Sequence, residues 1–179
     1  SSQNESFTIN GLNMYGYSWW GPVTIKGSKP KDGIDHSVVF NNVTYTGAQL
    51  MYGIYTKAFI KGNTKIQSVG SYVSPLDGST QTTQGLGNQQ NFQISYLEVL
   101  PGATYTGTTT GGTNVEVYDG GSFIVDKGAT VNLQRTDASK SNERGTNALI
   151  DTQGGNVEFK DGSTVILNKN ALVKDGFAP

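Results

Sequence analysis

Short runs of alternating apolar and polar residues recur along the chain, separated by glycine, asparagine or aspartate. Each run is rich in β-branched or aromatic side chains, which is typical of short strands bounded by turns. The runs are Phe7–Ile9, Val23–Ile25, Ser37–Phe40, Val43–Tyr45, Ala58–Ile60, Phe92–Leu97, Val115–Tyr118, Phe123–Val125, Val131–Leu133, Val157–Phe159 and Val165–Leu167. No apolar stripe of helical period persists over the ~11 residues of an average helix. The pattern still allows one short helix near Gly47–Met51. The pattern predicts an all-β protein.

One motif occurs twice in the second half of the chain. Residues 114–125 read NVEVYDGGSFIV and residues 156–167 read NVEFKDGSTVIL, an offset of 42 residues. The segment LEVLPGATYTG (97–107) is a weaker third copy, and ATVNL (129–133) is a strand of the same kind. Such units favour a right-handed parallel β-helix, because one coil cannot bury its inward side chains without a neighbour. The alternative is an antiparallel sandwich, since Asp-Gly between strands also forms hairpins.

The alternation within the motif also predicts side-chain directions. The apolar positions should point inward and the two glutamates should point to solvent. The inward set is Val115, Val117, Val157 and Phe159, and the outward pair is Glu116 and Glu158.

The whole chain reads as one solenoid module cut from a larger protein, with a capping segment at 1–36 and coils at 37–179. The stretch 11–27 (GLNMYGYSWWGPVTIKG) is dense in aromatic residues and suits a cap, because the end of a solenoid exposes sheet edges that need covering. The polar segment Tyr72–Gln90 is predicted to be a loop or an outward excursion.

Composition removes several classes of function. The net charge of −1 gives no field that would attract nucleic acid, and cysteine is absent, which excludes disulfides and thiolate metal sites. No apolar stretch approaches the ~20 residues of a membrane-spanning helix. We therefore expect a fragment that is monomeric, does not insert into membranes and needs no cofactor.

Several segments together resemble a known family. SWWGPVTIKG (18–27), VVFNNVTYTGAQLMYG (38–53) and LEVLPGATYTGTTTGGTNVEVYDGGSFIV (97–125) are similar, in this order, to the pectate-lyase-like adhesive domain of large cell-wall proteins of lactobacilli and related Gram-positive bacteria. The resemblance implies a β-helix, secretion and display at the cell wall. It also implies attachment to host epithelium, mucus, matrix glycoproteins or other bacterial cells, without supplying a ligand.

The densest run of mixed charge is RTDASKSNER (135–144). Arginine grips carboxylates and sulfates through paired hydrogen bonds, so this run is a candidate site for an acidic sugar or an acidic protein face. The alternative is an ordinary solvated loop. The candidate residues are Arg135, Asp137, Lys140, Glu143 and Arg144.

Aromatic side chains near the N-terminus form a rival site. On a strand, Tyr15, Tyr17 and Trp19 would share one face, where flat rings suit stacking against sugars or anchoring a protein. We take Tyr17 and Trp19 as the candidate contacts, and packing of these rings beneath a cap as the alternative.

Catalytic and metal sites are not expected. His36 is the only histidine and has no identifiable nucleophilic partner, while Asp119 and Asp161 each precede a glycine and therefore read as turn residues rather than calcium ligands. The predicted function is a non-catalytic adhesin module. A rigid spacer and a calcium-dependent polysaccharide lyase are the alternatives.

Overall fold

The computed structural model describes residues 4–19, 21–23, 35–137, 148–168 and 173–174, most of which lie in strands. In chain order the strands are β1 (Asn4–Asn10), β2 (Asn13–Gly16), β3 (Asp35–Asn41), β4 (Thr44–Gly47), β5 (Met51–Lys61), β6 (Asn63–Ser68), β7 (Ser71–Val73), β8 (Thr80–Thr82), β9 (Phe92–Val99), β10 (Thr104–Thr109), β11 (Val115–Val125), β12 (Thr130–Arg135), β13 (Ile150–Asp151), β14 (Asn156–Phe159), β15 (Thr164–Asn168) and β16 (Val173–Lys174). A short 3-10 helix covers Gln84–Gly87.

Two sheets of parallel strands make up the body of the molecule. The eight-stranded sheet has the order β1-β3-β5-β9-β11-β13-β16, with β14 also paired to β11, and the six-stranded sheet has the order β15-β12-β10-β6-β4-β2. The chain crosses between the sheets and mostly returns one position further along the stack. The all-β solenoid prediction is confirmed, and the sandwich alternative is wrong because antiparallel pairing in the described chain is confined to β7 and β8. The short helix considered near Gly47–Met51 is absent, since Gly47 ends β4 and Met51 begins β5.

The core lies between the two sheets, because alternate side chains of each strand point inward and most of these are apolar. Inward residues of the interior coils are buried and form one continuous cluster from Val23 to Ile150, and inward residues of the terminal coils pack against it while partly buried. Aromatic rings join successive layers: the Phe92 ring lies 5.9 Å from Phe40 and 5.8 Å from Tyr105, both edge to face. Each coil thus buries its apolar face against the next, as the repeat required.

The interior also contains a polar ladder at one corner of the coils. Asn114 donates from Nδ2 to Asn91 Oδ1 at 3.1 Å, and Asn91 donates from Nδ2 to Ser68 Oγ at 3.0 Å. The Tyr105 hydroxyl donates to the same Asn91 oxygen at 2.7 Å. These hydrogen bonds satisfy buried polar groups and fix the stacking register of three coils.

The register of the repeat differs from the alignment drawn on the sequence. Val157 pairs with Phe123, not with Val115, so the step between these coils is 34 residues rather than 42. The physical reason lies in β11, whose register shifts between Val117 and Ser122, with Gly120 at φ 76°. Asp119–Gly120 is therefore an irregularity inside a strand, whereas Asp161–Gly162 turns the corner between coils.

The segment that aligned weakly gives the true repeat. Thr104 pairs with Thr130, and Thr130 pairs with Thr164, so LEVLPGATYTG stacks on residues 123–133 and then on residues 157–167. Three corner glycines, Gly102, Gly128 and Gly162, adopt φ between 76° and 82°, a region that favours glycine.

The predicted side-chain directions are largely confirmed. Val115 and Val117 are fully buried, Val157 packs partly against the core, and Glu158 is exposed. Phe159 contacts Phe123 edge to face, although 40% of it stays exposed at this end of the stack.

The prediction for Glu116 is wrong, because this residue is only 1% exposed. The Glu116 side chain lies on the outer face of the sheet, where glutamine side chains cover its carboxylate. Gln153 donates from Nε2 to Glu116 Oε1 at 2.6 Å, Gln93 donates to the same oxygen at 3.5 Å, and Gln90 donates to Oε2. These amide hydrogen bonds offset the cost of removing the Glu116 carboxylate from water.

The segment predicted as a cap contributes strands to both sheets. β1 pairs in parallel with β3, and β2 pairs in parallel with β4. Residues 4–16 therefore add one coil to the stack, and residues 1–3, 20 and 24–34 of the proposed capping segment lie outside the described residues.

Candidate ligand-binding face

Three aromatic residues project from one side of the first coil. Tyr15, Tyr17 and Trp19 are 42%, 54% and 50% exposed, and the alternate residues Met14 and Gly16 face the other way. Their exposure alternates as the predicted spacing requires, although β2 ends at Gly16 and both Tyr17 and Trp19 follow the strand. These rings are exposed, so packing beneath a cap does not describe them. Lone exposed apolar residues are common on protein surfaces, whereas contiguous exposed apolar surface is typical of interaction sites, which makes these rings a candidate.

A hairpin from a later coil supplies a fourth ring. β7 and β8 pair antiparallel, and the Tyr72 ring on β7 lies 5.4 Å from the ring of Tyr15 at an interplanar angle of 39°. The segment Tyr72–Gln90, predicted to be a loop or an outward excursion, forms this hairpin and a 3-10 helix, and its end at Gln89 and Gln90 is buried. We name Tyr15, Tyr17, Trp19 and Tyr72 the aromatic patch.

The hairpin is closed by local hydrogen bonds at its turn. Ser79 donates to Asp77 Oδ1 from its backbone nitrogen at 2.9 Å and from its hydroxyl at 2.6 Å, and Gly78 adopts φ 74°. These bonds lower the pKa of Asp77, because they stabilise its carboxylate. The sequence SPLDGST thus forms a tight turn, which projects the hairpin beside β2.

The backbone beneath the patch is held from two directions. Gln84 accepts a hydrogen bond from the Trp19 backbone nitrogen at its Oε1, 2.8 Å away, and its own backbone nitrogen donates to the Tyr17 carbonyl at 2.8 Å. Buried Gln49 donates from Nε2 to the Trp19 carbonyl at 3.1 Å. Three contacts that cross between distant segments fix residues 17–19, so the rings stand on a pre-organised support.

The pKa of the Tyr72 hydroxyl is raised above its ordinary value. Partial burial raises the pKa of Tyr72, and the neighbouring Tyr17 hydroxyl raises it further. The Tyr72 hydroxyl therefore remains protonated and available as a hydrogen-bond donor.

Of the residues predicted as a site in the charged run 135–144, the structure describes Arg135 and Asp137. Arg135 is only 1% exposed and points into the core, in register with buried Thr109. Burial lowers the pKa of Arg135, and Asp137 partly offsets this effect. Asp137 is half-buried at the start of the loop, and Lys140, Glu143 and Arg144 lie outside the described residues.

The sequence contained the signal for this placement. Val131, Leu133 and Arg135 are two residues apart on β12, and strand residues with this spacing share a face. Their common direction, toward the core, removes Arg135 from any surface site. Arg135 is the last inward position of β12, and not the start of the loop that its charge predicted.

A second polar cluster, missed from the sequence, covers the outer face of the eight-stranded sheet. Lys160 Nζ lies 3.0 Å from Asp126 Oδ1, the Tyr96 hydroxyl donates to Glu98, and Lys57 Nζ lies 5.3 Å from the centre of the Tyr96 ring. Parallel pairing places these residues together from four coils, although they are far apart in sequence.

The two carboxyl groups of this cluster are linked. Burial and the hydrogen bond with Asp126 raise the pKa of Glu98. Burial also acts to raise the pKa of Asp126, but hydrogen bonding to Glu98 and Lys160 outweighs it and leaves this pKa lowered. The pair can share one proton, with Glu98 as the group that holds it.

The residues considered for catalysis or metal binding do not gather into a site. His36 is buried in β3, and Asp161 lies at an exposed corner. Over the described ranges, no three His, Cys, Asp or Glu side chains lie close enough together to hold a metal ion. The side chain of Asp119 is outside the described set.

Comparisons of the sequence with protein-family models, curated proteins and solved structures gave no match. No helix in the described part of the chain combines the length and apolar character needed to cross a membrane.

Proposed function

We propose that this chain is a non-catalytic binding module of a secreted, cell-wall-attached protein of a Gram-positive bacterium, and that the aromatic patch contacts its ligand. The observation that carries the proposal is the ring contact between Tyr15 and Tyr72, together with the exposed rings of Tyr17 and Trp19 on a backbone held by Gln49 and Gln84. Large rigid rings contribute most of the binding energy at recognition sites, and they lose little conformational entropy on binding.

The resemblance to the pectate-lyase-like adhesive domain supports the biological setting. An adhesin of that kind would attach its cell to host epithelium, mucus, matrix or other bacteria. A solenoid suits this task, because stacked coils form a rigid rod that presents a face at a distance from the wall. A spacer with no ligand of its own is the second candidate.

The test is binding to an array that carries neutral glycans, acidic glycans, mucin and matrix proteins. We expect the unmodified chain to bind at least one of these probes, and Trp19→Ala to weaken that binding at least about thirtyfold, since a central aromatic contributes about 2 kcal/mol or more. Leu76→Ala is the matched control, because Leu76 is the exposed apolar residue at the hairpin turn and lies outside the patch.

Circular dichroism of each variant establishes that the fold is intact. Full binding by Trp19→Ala would refute the patch as the site. Failure of the unmodified chain to bind any probe would favour the spacer. Release of unsaturated product from polygalacturonate and calcium, above a heat-inactivated control, would favour the lyase alternative.

A further inference from the structure

The aromatic patch lies at one end of a longer polar surface. Tyr15 occupies the first position of an outward row that crosses all six strands of its sheet. The row continues through Thr46, Gln67, Thr108, Gln134 and Asn168. A parallel row beside it holds Asn13, Thr44, Lys65, Thr106, Asn132 and Ile166, and a third holds Asn63, Thr104, Thr130 and Thr164. We name these three rows, without Tyr15, the polar track.

The chemistry of the polar track is uniform. Almost every outward side chain carries a hydroxyl or an amide, groups that both donate and accept hydrogen bonds. Among the described strands of this sheet, Lys65 is the one outward charged residue, and no outward carboxylate occurs. An acidic ligand needs several cations and a cationic ligand needs carboxylates, so the track fits an uncharged ligand rich in hydroxyls.

The geometry of the track fits a regular polymer. Its side chains are half-buried or exposed, and they stand on inward residues that are buried in every interior coil. Neighbouring strands lie about 4.8 Å apart, which is close to the length of one sugar in an extended chain. One sugar per coil can therefore meet equivalent groups as the chain advances along the solenoid.

We infer that the ligand is an uncharged polysaccharide that lies along the solenoid axis on the polar track, with one sugar stacked on the aromatic patch. This inference rests on the proposed function and adds the class of ligand and its direction. A protein partner fits less well, because the track offers no apolar anchor away from the patch except Ile166 at its far end.

Chain length provides the test. Thr108 lies three strand spacings, roughly 14 Å, from Tyr15. A disaccharide stacked on the patch does not reach Thr108, whereas a hexasaccharide does. The probes are disaccharides and hexasaccharides of β-linked glucose, mannose and N-acetylglucosamine, with hexagalacturonate as the acidic counterpart, measured by calorimetry.

We expect at least one neutral hexasaccharide to bind at least tenfold more tightly than its disaccharide, with an affinity that is insensitive to salt. The double variant Thr108→Val and Gln134→Ala should reduce hexasaccharide affinity about tenfold and leave disaccharide affinity unchanged. Trp19→Ala should weaken both. Ser122→Ala, on the outer face of the other sheet, is the control and should change neither.

Each other outcome decides a separate point. A hexasaccharide that binds no better than its disaccharide, tighter binding of hexagalacturonate, or full hexasaccharide binding by the folded double variant would overturn the polysaccharide inference alone. Binding restricted to a protein probe, but still lost in Trp19→Ala, would also overturn it and leave the aromatic patch in place. Loss of the Trp19 dependence would instead count against the proposed function.

Discussion

The two outer faces of the solenoid differ in what their side chains contact. On the eight-stranded sheet, outward residues bind one another: glutamines enclose Glu116, and Lys160 pairs with Asp126. On the six-stranded sheet, most outward residues carry neutral hydroxyls or amides, with Lys65 and Ile166 as the exceptions, and the rows end at the aromatic patch. The same backbone thus carries one face on which charged groups are paired or enclosed and one face composed mainly of neutral hydroxyls and amides, of which Gln67 and Thr46 bond to each other. Function on a repetitive fold follows from the outward residues, since the inward residues are alike in both sheets.

The largest effect should come from the buried glutamate. Glu116→Gln should lower the free energy of unfolding by about 2 kcal/mol, because three amides lose a charged acceptor inside the protein. Glu158→Gln is the matched control, since Glu158 occupies the same motif but is exposed, and it should change stability by less than about 0.5 kcal/mol. Urea unfolding measures both. An equal loss of stability in the two variants would contradict the claim that the hydrogen bonds enclosing Glu116 stabilise the fold.

A smaller, pH-dependent effect should appear at Glu98. Its pKa is raised by burial and by Asp126, so the folded protein binds this proton more tightly than the unfolded chain. The resulting stabilisation is complete below the ordinary glutamate pKa of about 4.3 and is lost as the pH rises through the raised value. Glu98→Gln keeps a neutral group at every pH. Its stability relative to the unmodified protein should therefore improve between pH 4 and pH 7.

The opposite sign is expected for its partner. The pKa of Asp126 is lowered, so its stabilisation is present above the ordinary aspartate value and is lost as the pH falls. Asp126→Asn should accordingly lose stability relative to the unmodified protein as the pH rises. Unfolding curves at several pH values measure both slopes. Slopes of the same sign would contradict the assignment of the shared proton to Glu98.

The smallest effect on stability should come from the polar track. Thr108→Val keeps the side-chain shape and removes one outward hydroxyl, so the free energy of unfolding should change by less than about 0.5 kcal/mol. The same substitution contributes to the expected loss of hexasaccharide binding. A destabilisation comparable to that of Glu116→Gln would show that this face also stabilises the stack, and the contrast between the faces would then fail.

Much of the candidate site could be predicted from local sequence. The spacing of Tyr15, Tyr17 and Trp19 placed them on one face, because side chains alternate along extended backbone whatever the tertiary fold. Their exposure was open, since it depends on what covers the first coil. The fourth ring, Tyr72, was beyond prediction as a partner, because only the folded hairpin brings it to Tyr15.

The sequence by itself determined the class of fold and the inward apolar positions. Period-two alternation, glycine corners and a recurring motif suffice for stacked strands, since these are local properties of the chain. It did not determine the step between coils. An irregularity inside β11 made Asp119–Gly120 resemble the corner at Asp161–Gly162 and shifted the apparent repeat to 42 residues.

Tertiary structure alone decided which polar residues are enclosed. Glu116 and Glu158 occupy the same position in the motif, yet only the first is covered, because Gln90, Gln93 and Gln153 arrive from other coils. Lateral pairing between strands likewise assembled the polar track from residues far apart in sequence. Burial of an outward side chain depends on neighbours contributed by other coils, and the local sequence pattern does not identify those neighbours.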